Sequence, residues 1–164
     1  MFRGEAALPA GLRVYAIGDV HGRADCLAEI LERIDADLAG SPALQKRIVM
    51  LGDYTDRGPA SREVVDILSQ KAGEADFICL RGNHDDWFLR FLTDPDESDG
   101  FLNWGGIQTL ESYGVDLTGS IKSNAELARE LARLVPAAHR RFLARLRYWH
   151  EEGAYFFCHA GVRP

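Results

Sequence analysis

Three times in its first half the chain runs an apolar stretch of strand length into a Gly-Asp or Gly-Asn turn, and then into helical periodicity. Leu12–Ile17 ends at Gly18-Asp19-Val20-His21-Gly22; Leu27, Ile30, Leu31, Ile34 and Leu38 follow at helical spacing until Gly40-Ser41-Pro42. A second strand, Arg47–Leu51, ends at Gly52-Asp53-Tyr54-Thr55-Asp56-Arg57-Gly58. The helix after it, Ser61 to Lys71, carries Val64, Val65, Ile67 and Leu68 and stops at Gly73. A third strand, Asp76–Leu80, ends at Arg81-Gly82-Asn83-His84-Asp85, beyond which a helix buries Trp87, Phe88 and Phe91. Asp19 and Asp53 lie 34 residues apart, and Asp53 and Asn83 lie 30 apart, the length of one βαβ unit. Such units build a parallel sheet whose strands present their carboxyl ends on one side, where open α/β sheets place their chemistry. Asp19, Asp53 and Asn83 are therefore expected in one cluster.

At 164 residues and 46% hydrophobic, the chain supports one domain, residues 1–164, with a sizeable core. Its formal net charge of −6 disfavours a grip on nucleic-acid backbone. Cys26, Cys79 and Cys158 are scattered and odd in number. They read as core thiols of a reducing compartment rather than a disulfide framework. No apolar run reaches membrane-spanning length and the N-terminus lacks a signal-type apolar region, so a soluble cytoplasmic protein with no membrane partner is expected.

The second half reads differently. Thr93–Gly100 is acidic and turn-rich, but Asp99 and Gly105 stand where a calcium loop needs Gly and Glu. Phe101–Tyr113 reads as helical despite Gly105-Gly106. Ser123 and Glu126 form a capping box, and Pro136 opens a last helix packing Phe142, Leu143, Leu146 and Trp149 inward. Residues 101–150 thus form a helical insertion, followed by a strand, Ala154–Cys158, that ends at His159-Ala160-Gly161.

Asp19, His21, Asp53, Asn83 and His159 are oxygen and imidazole donors at turns after strands. One carboxylate between two cations offsets their repulsion and holds them about 3.5–4 Å apart, the arrangement of two-metal phosphate-ester hydrolysis, in which a bridging water ionises near neutral pH and attacks phosphorus in line. Asp53 suits that bridging place. Arg57, planar and always charged, suits a bidentate grip on phosphate. His84 stands beside Asn83, placed to protonate the leaving oxygen, with Asp56 to orient the imidazole and keep it charged. Asp56 has a second reading, as a helix N-cap or an ion-pair partner of Arg57. A mixed O/N set without thiolate favours Mn²⁺, with Fe, Zn or Mg as further choices.

The strings GDVHG, GDYTDRG, GNHD and HAG, in that order across residues 12–163, resemble the calcineurin-like metallophosphoesterases, specifically the phosphoprotein (serine/threonine) phosphatase branch. The resemblance implies an α/β/β/α sandwich of two mixed sheets flanked by helices. It implies that Asp19, His21 and Asp53 hold one divalent metal and Asp53, Asn83 and His159 the other, with His84 and Asp56 the proton-donating pair and Arg57 on phosphate. The implied substrate is a phosphorylated protein or small phosphoester. GNHD rather than GNHE points instead to the dinucleoside-tetraphosphate hydrolases of the superfamily, whereas the aspartate of the DRG string, Asp56, points away from them.

Family members carry further strands, a second phosphate-gripping arginine and a Gly-His ligand beyond the HAG string, while the chain stops five residues after His159. The expectations that follow are a truncated chain with an incomplete second sheet, a homodimer through an uncovered sheet edge, and a catalytically weak metal-binding fragment as the alternative to an enzyme.

Overall fold

The computed structural model describes residues 7–40, 45–96, 99–118 and 121–162. The three repeated units form the expected frame. Strand β1 (Leu12–Ile17) pairs in parallel with β2 (Gln45–Met50) over its full length, from Leu12 opposite Gln45 to Ile17 opposite Met50. Strand β3 (Phe77–Cys79) adds to the other side of β2, in the order β1-β2-β3. Both β2 and β3 end one residue before the expected boundary, although the Leu51 and Leu80 nitrogens still bond the neighbouring strands at Ile17 and Met50. The crossover helices are α1 (Ala24–Ala39), α2 (Ser61–Lys71) and α3 (Asn83–Phe91). Gly40 closes α1 as expected, while Ser41 and Pro42 lie outside the described residues.

Val49 and Met50 are fully buried, and Val64, Val65 and Leu68 of α2 pack over the sheet in the same core. Parallel strands covered by helices have this continuous apolar character. A second part of the core is aromatic. Phe101 lies 5.8 Å from Phe88 and 4.6 Å from Phe91, ring centre to ring centre, and Tyr113 lies 5.6 Å from Phe88. These contacts fix the segment after α3 against α3 itself.

That segment is not the single helix expected over Phe101–Tyr113. A short turn, α4 (Asp99–Phe101), passes through a π turn (Leu102–Gly106) into α5 (Ile107–Tyr113). The break falls at Gly105, whose φ of 108° no other residue adopts readily. A Cβ there would lie 2.6 Å from the Arg57 nitrogen. Helix α6 (Asn124–Leu134) opens with the predicted Ser123–Glu126 capping box, and α7 (Ala137–Ala144) follows Pro136. Glu97 and Ser98 of the acidic segment lie outside the described residues.

Helix α7 ends at Ala144, and Trp149 is not packed inward as expected: it is 54% exposed on a strand. The reason is long-range pairing. Arg147 bridges Leu80 in parallel, its nitrogen bonds the Cys79 carbonyl at 3.3 Å, and its carbonyl receives the Arg81 nitrogen at 2.7 Å. The backbone is thereby extended before residue 149. Strands β4 (Trp149–Glu152) and β5 (Tyr155–Cys158) then form a two-stranded antiparallel ribbon, the second sheet among the described residues. It is tied to β2 of the first sheet by an Arg47–Glu152 ion pair at 2.8 Å, and to the segment before β1 by the Ala154 nitrogen on the Ala7 carbonyl. Of the three cysteines expected in the core, Cys79 is buried, Cys158 is half-buried and Cys26 is exposed. Among the described residues, no helix is long and apolar enough to cross a membrane.

Candidate active site

The turns after β1, β2 and β3 and the end of β5 converge. Backbone bonds lock the first two together: Val20 and His21 nitrogens both reach the Asp53 carbonyl, at 3.1 and 2.9 Å, and Gly22 reaches that of Tyr54 at 2.9 Å. The approach is so close that a Cβ on Gly58 would stand 2.2 Å from the His21 carbonyl oxygen. The backbone is also strained here. The non-glycine residues with positive φ among those described are His21 (42°), Asp53 (56°), Asp56 (72°), Arg57 (65°) and Ala160 (56°). Each belongs to, or adjoins, the residues singled out from the sequence. Such conformations persist where the surroundings over-determine them, and they concentrate at functional sites.

Two histidines face one carboxylate. His21 Nδ1 lies 2.8 Å from the Thr55 carbonyl and His159 Nδ1 lies 3.1 Å from that of Leu51. A carbonyl only accepts, so each Nδ1 carries a hydrogen, and in the neutral imidazole each Nε2 then offers its lone pair. Those two Nε2 atoms point at the same oxygen, Asp53 Oδ2, at 3.6 and 3.4 Å. His21 Nε2 is buried with no hydrogen-bond partner. Asp19 Oδ2 lies 3.7 Å from it, and Asn83 Oδ1 lies 3.1 Å from His159 Nε2. Lone pairs turned on a carboxylate repel unless a cation sits among them, so this donor set fits divalent metal ions. The ligand atoms of Asp19, Asp53 and His159 lie within 4.8 Å of one another, and so do those of His21, Asp53 and His84. Imidazole nitrogens fixed through a carbonyl on the other ring nitrogen are the usual form of a metal-binding histidine.

Asp53 is held for this place from three sides. Its Oδ1 accepts the His84 backbone N–H at 3.0 Å, which leaves Oδ2 to the histidines. Its own N–H donates to Asp85. Gly82 lies against it so tightly that a Cβ would fall 2.0 Å from Oδ1. Asp85 accepts from the nitrogens of Asp53, Tyr54 and Gly82 at 2.9, 3.0 and 2.9 Å, pinning the second turn to the third. Burial pushes its carboxyl up to about 7, against the pull of those backbone donors.

His84 donates Nδ1–H to Asp56 Oδ2 at 2.8 Å, and Arg57 Nη2 lies 3.2 Å from His84 Nε2. A guanidinium only donates, so Nε2 accepts in this arrangement. Asp56 is fully buried, which pushes its carboxyl above the ordinary value against the hydrogen bonds from His84 and Thr109. It is not an N-cap, since Ala60 occupies that position of α2. Nor does it pair with Arg57: among the described residues its carboxylate takes His84 and Thr109.

All eight residues singled out from the sequence gather here. Sequence reasoning missed Thr109 and Ser61. Thr109 Oγ1 donates to Asp56 Oδ1 at 2.7 Å and accepts the Asp56 N–H at 2.9 Å, and Ser61 Oγ joins both. Thr109 is 53 residues from Asp56, and no local pattern connects them; the glycine pair before it was the available signal that this segment bends. Arg81 holds the carbonyls of Leu143 and Ala144, a structural role. His139 is buried between Tyr113 and Asp66, away from the site.

The family model of the calcineurin-like phosphoesterases matches residues 12–161. The symmetrical bis(5'-nucleosyl)-tetraphosphatase of Aromatoleum aromaticum is 34% identical over 147 residues, covering 77% of this chain and 51% of that protein. The asymmetrical bis(5'-nucleosyl)-tetraphosphatase PrpE of Oceanobacillus iheyensis is 28% identical, over 65% of this chain and 39% of that one. The chain thus spans about half, or less, of the length of these relatives. A crystal structure of a candidate diadenosine tetraphosphatase superposes with a TM-score of 0.55 at 25% identity, over 96% of this chain and 55% of that one.

Proposed function

The chain belongs to the calcineurin-like phosphoesterases, and on that footing we propose that it is a two-metal hydrolase of dinucleoside polyphosphates. The observation that carries the metal-dependent reading is the pair of Nε2 lone pairs, from His21 and His159, aimed at one oxygen of Asp53. The substrate class rests on the relatives, which are bis(5'-nucleosyl)-tetraphosphatases rather than protein phosphatases. Asp19, His21 and Asp53 would hold one divalent ion and Asp53, Asn83 and His159 the other, with Mn²⁺ the first choice. Bound there, the ions would supply an activated water and neutralise phosphate charge.

The chain's own residues do the rest. Arg57 turns from His84 Nε2 to the phosphate oxygens, which it meets as a planar fork. That frees Nε2, and His84 takes up a second proton to deliver to the leaving oxygen, while Asp56 fixes Nδ1–H and balances the charge. Thr109 and Ser61 hold Asp56 in register with the imidazole.

A second reading draws on this dyad. A phosphoanhydride expels a stable phosphate and leans little on an acid, whereas the alkoxide of a phosphomonoester must be protonated. The buried His84–Asp56 pair therefore favours phosphoserine, phosphothreonine or small phosphomonoesters as the substrates instead. Hydrolysis of bis(5'-adenosyl) tetraphosphate and of p-nitrophenyl phosphate, with Mn²⁺ and after chelation, separates the cases. Chelator-sensitive turnover of the first supports the main reading; turnover of the second alone supports the other. Turnover of both that resists chelation and survives Asp53→Asn refutes the metal-site assignment.

A further inference from the structure

The ribbon that delivers His159 carries an aromatic ledge. Trp149 stands opposite Cys158 and Glu151 opposite Phe156, so alternation puts Trp149, Glu151, Phe156 and Cys158 on one face. The Trp149 and Phe156 rings stack at 5.7 Å and 17°. They are 54% and 48% exposed, and Tyr148 beside them is 67% exposed. Together with Gly161 and Val162 they line a cleft of about 360 Å³ that Asn83 and His159 also line. The cleft is within the size range of small-molecule sites. Its rim offers the Tyr148 hydroxyl, near Arg81, and the Asp86 carboxylate.

We propose that this ledge is the nucleoside subsite of the site described above: a base stacks on Trp149 and Phe156, and its phosphates run past His159 and Asn83 toward Arg57. The inference rests on the dinucleoside polyphosphate reading and deepens it. Every base presents a π face, so a stacked aromatic pair beside phosphate-binding groups recognises a nucleotide without reading its sequence. A second copy of the chain fits less well. Three half-exposed rings present roughly 300 Å², against about 800 Å² per partner in a stable interface, and a protein seated there would close the cleft on Asn83 and His159.

The test titrates the Mn²⁺-loaded chain with the β,γ-methylene analogue of ATP, and with inorganic tripolyphosphate, by calorimetry. The W149A/F156A double variant is expected to lose about 10- to 100-fold in nucleotide affinity, the range of base–aromatic stacking. Tripolyphosphate affinity stays within twofold, and Trp149→Phe, which keeps a stacking ring, retains most of the nucleotide affinity. Equal losses for both ligands, or no loss for either, overturn the subsite. So does a shift from dimer to monomer in light scattering with nucleotide affinity unchanged, which assigns the face to a second copy. The two layers come apart cleanly. Selective loss of nucleotide binding in a chain that hydrolyses no bis(5'-adenosyl) tetraphosphate keeps the subsite and retires the substrate reading. Hydrolysis of that substrate with equal KM by wild type and double variant does the reverse.

Discussion

Gly82→Ala places a single methyl group 2.0 Å from Asp53 Oδ1 and 2.3 Å from the Asp53 nitrogen. Ordinary carbon–oxygen contact begins near 3.4 Å, so a displacement of about 1 Å or more is required. Neither atom yields easily: Oδ1 is held by the His84 N–H at 3.0 Å and the nitrogen by Asp85 at 2.9 Å. Overpacking of this kind costs about 1–3 kcal/mol, a fall in Tm of roughly 5 °C for a chain of this length. Hydrolysis should fall much further, on the order of 100-fold, as expected for a 1 Å misplacement of a group that sets reacting geometry. Gly73→Ala is the control, since a Cβ there meets nothing within 4 Å. Thermal melts and Mn²⁺-dependent turnover of both variants decide the matter. A Gly82→Ala chain that melts early yet retains hydrolysis within threefold of wild type would refute the proposed role of Asp53 as a shared metal ligand.

Thr109→Val keeps the shape of the side chain but removes the hydroxyl that both donates to and accepts from Asp56. Stability should fall by about 1–3 kcal/mol and kcat by roughly tenfold with KM little changed, while Thr109→Ser retains both; urea denaturation and steady-state kinetics provide the check. Asp85→Asn tests the elevated carboxyl. Because burial raises Asp85 from 3.8 to about 7, the group favours the folded state fully below pH 4 and loses that contribution as pH rises through about 7. The stability gap between wild type and the non-titrating Asp85→Asn chain should therefore shrink between pH 4 and 7, by a few kcal/mol, and stay flat above. A gap that widens over this window means the three backbone donors outweigh burial and hold the carboxylate ionised.

The strands, helices and polar turns around Asp19, Asp53 and Asn83 were legible because their signals are local: apolar runs, Gly-Asp punctuation and a period of 3.6 that restarts after each turn. His159 was legible for the same reason. The boundary between α7 and β4 was not. Phe142, Leu143 and Leu146 continue a helical stripe toward Trp149, and only the pairing of Arg147 with Leu80, 67 residues away, pulls the chain out of it. Cys26 shows the opposite error, an apolar neighbourhood mistaken for burial. It adjoins Leu27, but one residue along a helix turns a side chain by about 100°, from the core into solvent. Thr109 was invisible because its partner is distant in sequence and its residue type is common.

The five positive φ angles at His21, Asp53, Asp56, Arg57 and Ala160 have a mechanical meaning. At about 1–2 kcal/mol each, they load this corner with several kcal/mol, comparable to the entire margin by which a domain stays folded. The load is carried by a few clamps, chiefly Asp85 on two turns and the interlocked Gly22 and Gly58. A corner under such tension lets go before the frame does. Local loosening of these turns with the far-UV spectrum intact is therefore the expected first sign of damage to the clamps.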